Sequence, residues 1–273
     1  MTTSLSEERP DRVRALESVV SSALSGSMVI PMIPGVIVRL IQELRNPDLQ
    51  VSELESLVEQ DPALCSKVLR LANSPFYGGR KQVGSIRDAI VMVGTEPLKL
   101  LTVACGVSAA FKSVPAVDLA GFWRHAHATA VLAKAIAQRQ SLPGDEAFLA
   151  GLFHMVGHLI LCCSKPEQAR LAFDETGPWF GQKLADVEVE TFGVSHTEVS
   201  GLWLDRLGIP DAVVDAALGY LLVPPTSKLA HCLAQASAAL ALDASDAALQ
   251  HRLEQLQQGA FPFNEPCSGG LDD

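Results

Sequence analysis

Five of the seven histidines have types and spacing that could do chemistry: His125 and His127, His154 and His158, and His196. Positions four apart lie one turn apart on one helix face, so on a continuous helix the imidazoles of His154 and His158 could reach one metal ion. Their segment reads His154-Met155-Val156-Gly157-His158. A zinc-protease helix needs a glutamate directly after the first histidine as general base. Met155 stands there, which excludes that chemistry. The run Ser195-His196-Thr197-Glu198 is a capping box, and it puts His196 in the first turn of a helix. The positive helix end favours a neutral ring there, which suits a metal ligand and equally a plain surface histidine.

The elements that must position these residues read as helices throughout. Val13, Leu16, Val20 and Leu24 stripe a first helix, and Pro34 opens a second through Leu44. Ser52 with Glu55 looks like a capping box ahead of Leu54, Leu57 and Val58. Asp61-Pro62 starts the next helix, with Leu64, Val68, Leu69 and Leu71. Ser85 and Asp88 open a short helix closed by Gly94, and a longer one runs on to Phe111. After a break at Ser113 to Asp118, helices are expected at about 118–140, 145–163, 166–176, 179–192, 196–207, 211–222, 226–241 and 246–257. Val187 to Val189 alternates too briefly to make a strand. The fold class is all-α.

Composition narrows the partners. With 21 Lys and Arg against 31 Asp and Glu, the formal charge is −10, which opposes phosphate backbones. The basic residues Lys67, Arg70, Arg80, Lys81 and Arg87 are scattered. Asp48 to Asn73 could be read as a helix-turn-helix, but its second helix is dominated by leucine and valine where a reading helix needs polar side chains. No nucleic acid is expected. No stretch of about 18 uninterrupted apolar residues is present, so no membrane span is expected. None of the 6 cysteines forms a C-x-x-C pair, and most lie in apolar helical context as reduced core thiols. With a polar, charged start from Ser4 to Arg14, this gives an expected cytoplasmic location.

Several longer segments resemble a known family. Pro31 to Gly35 (PMIPG), Glu59 to Gly78 (EQDPALCSKVLRLANSPFYG) and Ser85 to Gly94 (SIRDAIVMVG) are similar to the HDOD family, the HD-related output domain of bacterial signalling proteins. Phe122 to His125, Ala147 to Leu159 (AFLAGLFHMVGHL) and Phe192 to Leu204 resemble its second half. The likeness spans about residues 29–223, read as an N-terminal helical half (29–112) and an HD-like half (118–223). Residues 1–28 and 224–258 would be helical extensions, and 259–273 a disordered tail.

The resemblance implies a helical fold related to the HD and HD-GYP phosphohydrolases, which gather a first His, a later His-Asp pair and further ligands around metal. His125 matches the first His and His154 the His of the pair, while Met155 takes the Asp position. His196 resembles a later HD-GYP histidine, and further His ligands give way to Leu218-Gly219-Tyr220-Leu221. A thioether is a soft neutral donor, poorly matched to hydrolytic metals that depend on carboxylate charge. The metal positions are therefore read as vestigial, with His158 as an adventitious ligand, and no cofactor is expected. His125 and His154 can equally be satisfied core residues. The implied role is a non-catalytic regulatory module in bacterial signal transduction, motility or cyclic-di-GMP pathways included, acting on a signalling protein partner. Phe76 and Tyr77, in the glycine-rich loop Ser74 to Val83, form a docking edge in this reading; alternatively both aromatics tuck between the halves. The alternative function is a divergent metal-dependent phosphohydrolase or phosphodiesterase.

Overall fold

The structure, a computed structural model, describes residues 14, 16–19, 35–43, 46, 49–73, 82–173 and 180–242. Phe76 and Tyr77, the expected helix at 246–257 and the tail at 259–273 lie outside the described residues. Of the expected first helix, residues 14 and 16–19 are described and are helical. Every element among the described residues is a helix.

In the N-terminal half, α1 (Gly35–Glu43), α2 (Val51–Glu59), α3 (Pro62–Ala72) and α4 (Ile86–Val93) bury one stripe each, and α5 (Thr95–Ala110) is covered on every side from Thr102 to Ser108. Ile37, Leu40, Leu54, Val58, Leu64, Val68, Ile86, Ile90, Leu98, Val103 and Val107 form the shared interior. The start of α2 differs from expectation: Gln50, one residue before the helix, caps it, and its backbone N–H donates to Glu53 Oε2 at 3.0 Å. Glu55 turns away to Arg87 on α4, with the guanidinium Nη2 2.5 Å from Oε2. A capping box needs its carboxylate on the third helical residue, and the helix begins one residue before Ser52.

The second half carries α6 (Leu119–Arg139), α7 (Gly144–Phe153), α8 (Val156–Ser164), α9 (Pro166–Ala172), α10 (Gly181–Phe192), α11 (His196–Arg206), α12 (Asp211–Gly219) and α13 (Lys228–Leu242). Helix α6 runs antiparallel to α7 through a stripe of small residues, Ala126, Ala130, Ala133 and Ala137, all fully buried. The backbones nearly touch there: a Cβ on Gly151 would stand 2.5 Å from Ala130 Cα. Helix α5 packs on α7, joining the two halves through one continuous apolar core. Taken end to end, Gly144–Ser164 has the length and composition to cross a membrane, yet 89% of its apolar window is buried inside the protein. It is apolar all round because neighbours cover every side.

The expected single helix over 145–163 is instead two, broken at His154 and Met155. Met155 adopts φ −105° and ψ 6°, outside the helical well. Ser200 of α11 satisfies the groups the break releases: its hydroxyl accepts from Gly157 N–H at 2.8 Å and donates to the His154 carbonyl at 2.9 Å. Gly157 permits that approach, since a Cβ there would lie 2.3 Å from the His196 carbonyl oxygen.

Candidate functional site: a buried histidine cluster

Because the helix breaks between them, His154 and His158 do not share a face and point to different partners. His154 is fully buried, and its Nδ1–H donates to the Gly151 carbonyl at 2.7 Å. That bond fixes the tautomer and leaves a lone pair on Nε2, which has no hydrogen-bond partner. His125, on α6, places its ring centre 6.1 Å from that of His154 and stacks on Phe180 at 3.7 Å with the planes 12° apart. Its Nε2 is also buried without a partner. The expectation that these two are satisfied core residues therefore fails at both Nε2 atoms. His127 lies elsewhere, edge-on to Phe148 at 6.2 Å.

His158 and His196 meet at a residue absent from the expected site, Glu188 on α10. Its carboxylate is fully buried and accepts from His158 Nδ1 at 2.8 Å through Oε1. Through Oε2 it accepts from both the backbone N–H and Nδ1 of His196, each at 2.6 Å. His196 is no surface histidine: it is fully buried, and its Nε2 faces the Tyr220 hydroxyl at 2.8 Å. The Ser195–Glu198 capping box forms as expected, with Ser195 N–H donating to Glu198 Oε2 at 2.9 Å. Tyr220 then turns its ring edge-on to His154 at 5.3 Å, linking the two parts of the cluster.

Burial and charge set the protonation states. Desolvation lowers His125 and His127 to about 4. It also drives His154 well below its ordinary value, with repulsion from His125 and His196 adding to the effect. Burial pushes the Glu188 carboxyl up, but attraction to His196 and the hydrogen bonds from His158 and His196 outweigh it and hold it at about 2. Tyr220 is raised well above 10 by burial and by Glu188, so its hydroxyl keeps its proton and can donate to His196 Nε2. Cys162 Sγ lies 3.6 Å from His158 Nε2. Cys162, His158 and Glu188 thus have the order of a thiol-catalysis triad. Burial, Glu188 and Cys163 push that thiol up, so it stays protonated and is not a nucleophile.

The HDOD domain family matches residues 30–219. The chain belongs to the HDOD family. Among solved structures, an HDOD domain protein of unknown function from Geobacter sulfurreducens is similar at 25% identity and TM-score 0.63, over 82% of this chain and 76% of that one. A protein from Shewanella amazonensis SB2B, provisionally assigned as a phosphohydrolase, matches at 26% identity and TM-score 0.68, over 91% of this chain and 90% of that one. A protein of Treponema pallidum (strain Nichols), itself uncharacterized, is 26% identical over 192 residues, 68% of this chain. This chain spans 36% of that relative's length.

The resemblance to HD enzymes raises the question of metal, and the donors of this HDOD chain do not fit a hydrolytic centre. Met155, which the resemblance sets at the acidic position, is 2% exposed and belongs to the apolar core. Glu188 accepts three N–H groups, and both ring nitrogens of His196 are engaged. Two neutral imidazole nitrogens, on His125 and His154, are left. Among the described residues, no three His, Cys, Asp or Glu side chains converge as a ligand set.

The sequence carried a signal for Glu188 that periodicity alone could have raised. Leu184, Glu188 and Phe192 fall four apart on the buried face of α10, and a carboxylate in such a stripe needs partners inside the protein. Tyr220 sits in the segment read as lacking ligands; its role depends on where α12 ends against His154 and His196.

Proposed function

We propose that this chain is a non-catalytic module of bacterial signal transduction that works in the cytoplasm by binding a protein partner, in pathways such as motility or cyclic-di-GMP signalling. A regulatory or HD-related role is what HDOD membership and its structural neighbours support; one neighbour, from Marinobacter aquaeolei VT8, bears a provisional signal-transduction name. The observation that carries the finer reading is the use of Glu188. The cluster's buried carboxylate, which a hydrolytic site would use to hold metal and activate water, is spent on His158 and His196, and Met155 supplies no replacement. What persists is a buried histidine cluster whose one carboxylate is already engaged, in a chain of formal charge −10. Such a molecule acts through its faces.

The alternative, a divergent metal-dependent phosphohydrolase, draws on the two unpartnered Nε2 atoms of His125 and His154. The test combines elemental mass spectrometry on tag-free protein with hydrolysis of bis-p-nitrophenyl phosphate in the presence of Mn2+, Fe2+ or Zn2+. Substoichiometric metal and no turnover above buffer are the expected results. Near-stoichiometric metal with turnover, both abolished in His154→Ala, would replace this proposal with the enzyme.

A further inference from the structure

We propose that the segment following α13, residues 246–263, turns back along that helix and covers an apolar patch made by Leu218, Leu222 and Val223. The large hydrophobic side chains left exposed among the described residues are Val91, Leu171, Leu218, Leu222 and Val223. Three of them fall between positions 218 and 223, where α12 ends and the connection to α13 begins. Val223 is 97% exposed and Leu222 55%, beside the exposed Pro224. Apolar side chains grouped in this way mark a surface that something covers, whereas scattered ones need no partner.

The fold holds this patch in place. Thr226 Oγ1 donates to Asp215 Oδ2 at 3.0 Å, tying the connection back to α12. Leu218 lies over Gly201 of α11, its Cγ 2.1 Å from where a Cβ on that glycine would stand. These contacts use one side of the connection and leave Leu222 and Val223 turned to solvent.

The chain itself supplies a cover of the right length. Helix α13 runs from Lys228 to Leu242, and its 15 residues rise about 22 Å. Beyond it, and outside the described residues, Ser245 is a helix-capping residue, Leu249, Leu253 and Leu256 fall on one helical face, and Gly259 is a stop. Running antiparallel to α13, residues 246–257 return about 18 Å of that distance. Phe261 and Phe263 follow at the start of the stretch read as a tail. Extended chain over 259–263 spans about 16 Å more, enough to bring both rings to Leu222 and Val223. Along this path α13 presents small residues, Ala234 half-buried and Ala238 exposed one turn on, which let a second helix approach closely. Tethering favours this occupant over a second copy of the chain, because a short linker holds the segment at an effective concentration of about millimolar.

The contact stands apart from partner binding: failure to find a partner leaves it untouched, and its own failure leaves the partner reading untouched. The experiment uses the full chain with Val223→p-benzoylphenylalanine, at a site exposed enough to spare the core, irradiated at micromolar concentration and mapped by mass spectrometry. Cross-links within one chain to residues 249–263 are expected. Adding Leu253→Asp and Phe261→Ser should abolish them while the protein still melts cooperatively. The same photoprobe placed by Val91→p-benzoylphenylalanine, on α4, should not capture the segment. Covalent dimers in place of links within one chain would make a second copy the occupant and overturn the proposal. So would the absence of any link to residues 249–263, undiminished links in the Leu253→Asp and Phe261→Ser variant, or equal capture from the Val91 site.

Discussion

Glu188 and His196 are joined twice: one carboxylate oxygen accepts both the backbone N–H and the ring Nδ1–H of His196, each at 2.6 Å. The same carboxylate reaches His158 on α8 through its other oxygen. One side chain from α10 thereby ties α8 to the start of α11. Glu188→Ala leaves two buried imidazoles and a backbone N–H without their acceptor, and should cost about 3–5 kcal/mol. Glu188→Gln retains the shape and should cost less, about 2 kcal/mol. Urea unfolding followed by circular dichroism measures both, and an unchanged midpoint in Glu188→Ala would show the hub to be dispensable.

Acid should weaken the fold in two stages. His125, His127 and His154 all have folded pKa values depressed below 6.5. The unfolded chain therefore binds protons at higher pH than the folded one, and stability is fully present above about 6.5 and lost as pH falls. For His127, held at about 4, the loss amounts to roughly 3 kcal/mol by pH 4. Glu188, also depressed, adds a second loss below its ordinary 4.5 toward about 2. The melting temperature should be level from pH 8 to 7 and decline steadily below 6.5; a level profile down to pH 5 would contradict this account.

The contact of Gly151 with Ala130 makes a sharp packing prediction. Alanine in a helix interior normally gains up to about 1 kcal/mol over glycine. Here the new methyl meets the Ala130 backbone at 2.5 Å, which has no flexible end to move aside. Gly151→Ala should therefore destabilise by about 1–3 kcal/mol. Thermal melts decide it, and a stabilised variant would mean that α6 and α7 separate readily.

The proposed docking edge at Phe76 and Tyr77 is open to a direct test. If the loop is a docking edge, Phe76→Ala or Tyr77→Ala should weaken the partner complex at least about tenfold while moving the melting temperature by only a few degrees. Unchanged affinity with a large fall in melting temperature would assign both aromatics to packing instead.

Much of this protein was legible in its residues. Apolar stripes at helical spacing, Gly and Pro stops and the Ser195–Glu198 capping box defined an all-α chain, because these signals act within one or two turns. His125, His154 and His196 were legible too as the candidate histidines. Tertiary structure alone decided how they are used. The break at His154–Met155, which sends His154 and His158 to different partners, depends on Ser200 from α11 meeting the freed backbone groups. The pairing of Glu188 with His158 and His196, and of Tyr220 with His196, spans helices distant in the chain. Sequence spacing specifies which face a residue occupies on its own helix; which face meets it across the core is set by how the helices pack, and here that packing turned a carboxylate and a phenol toward the histidines.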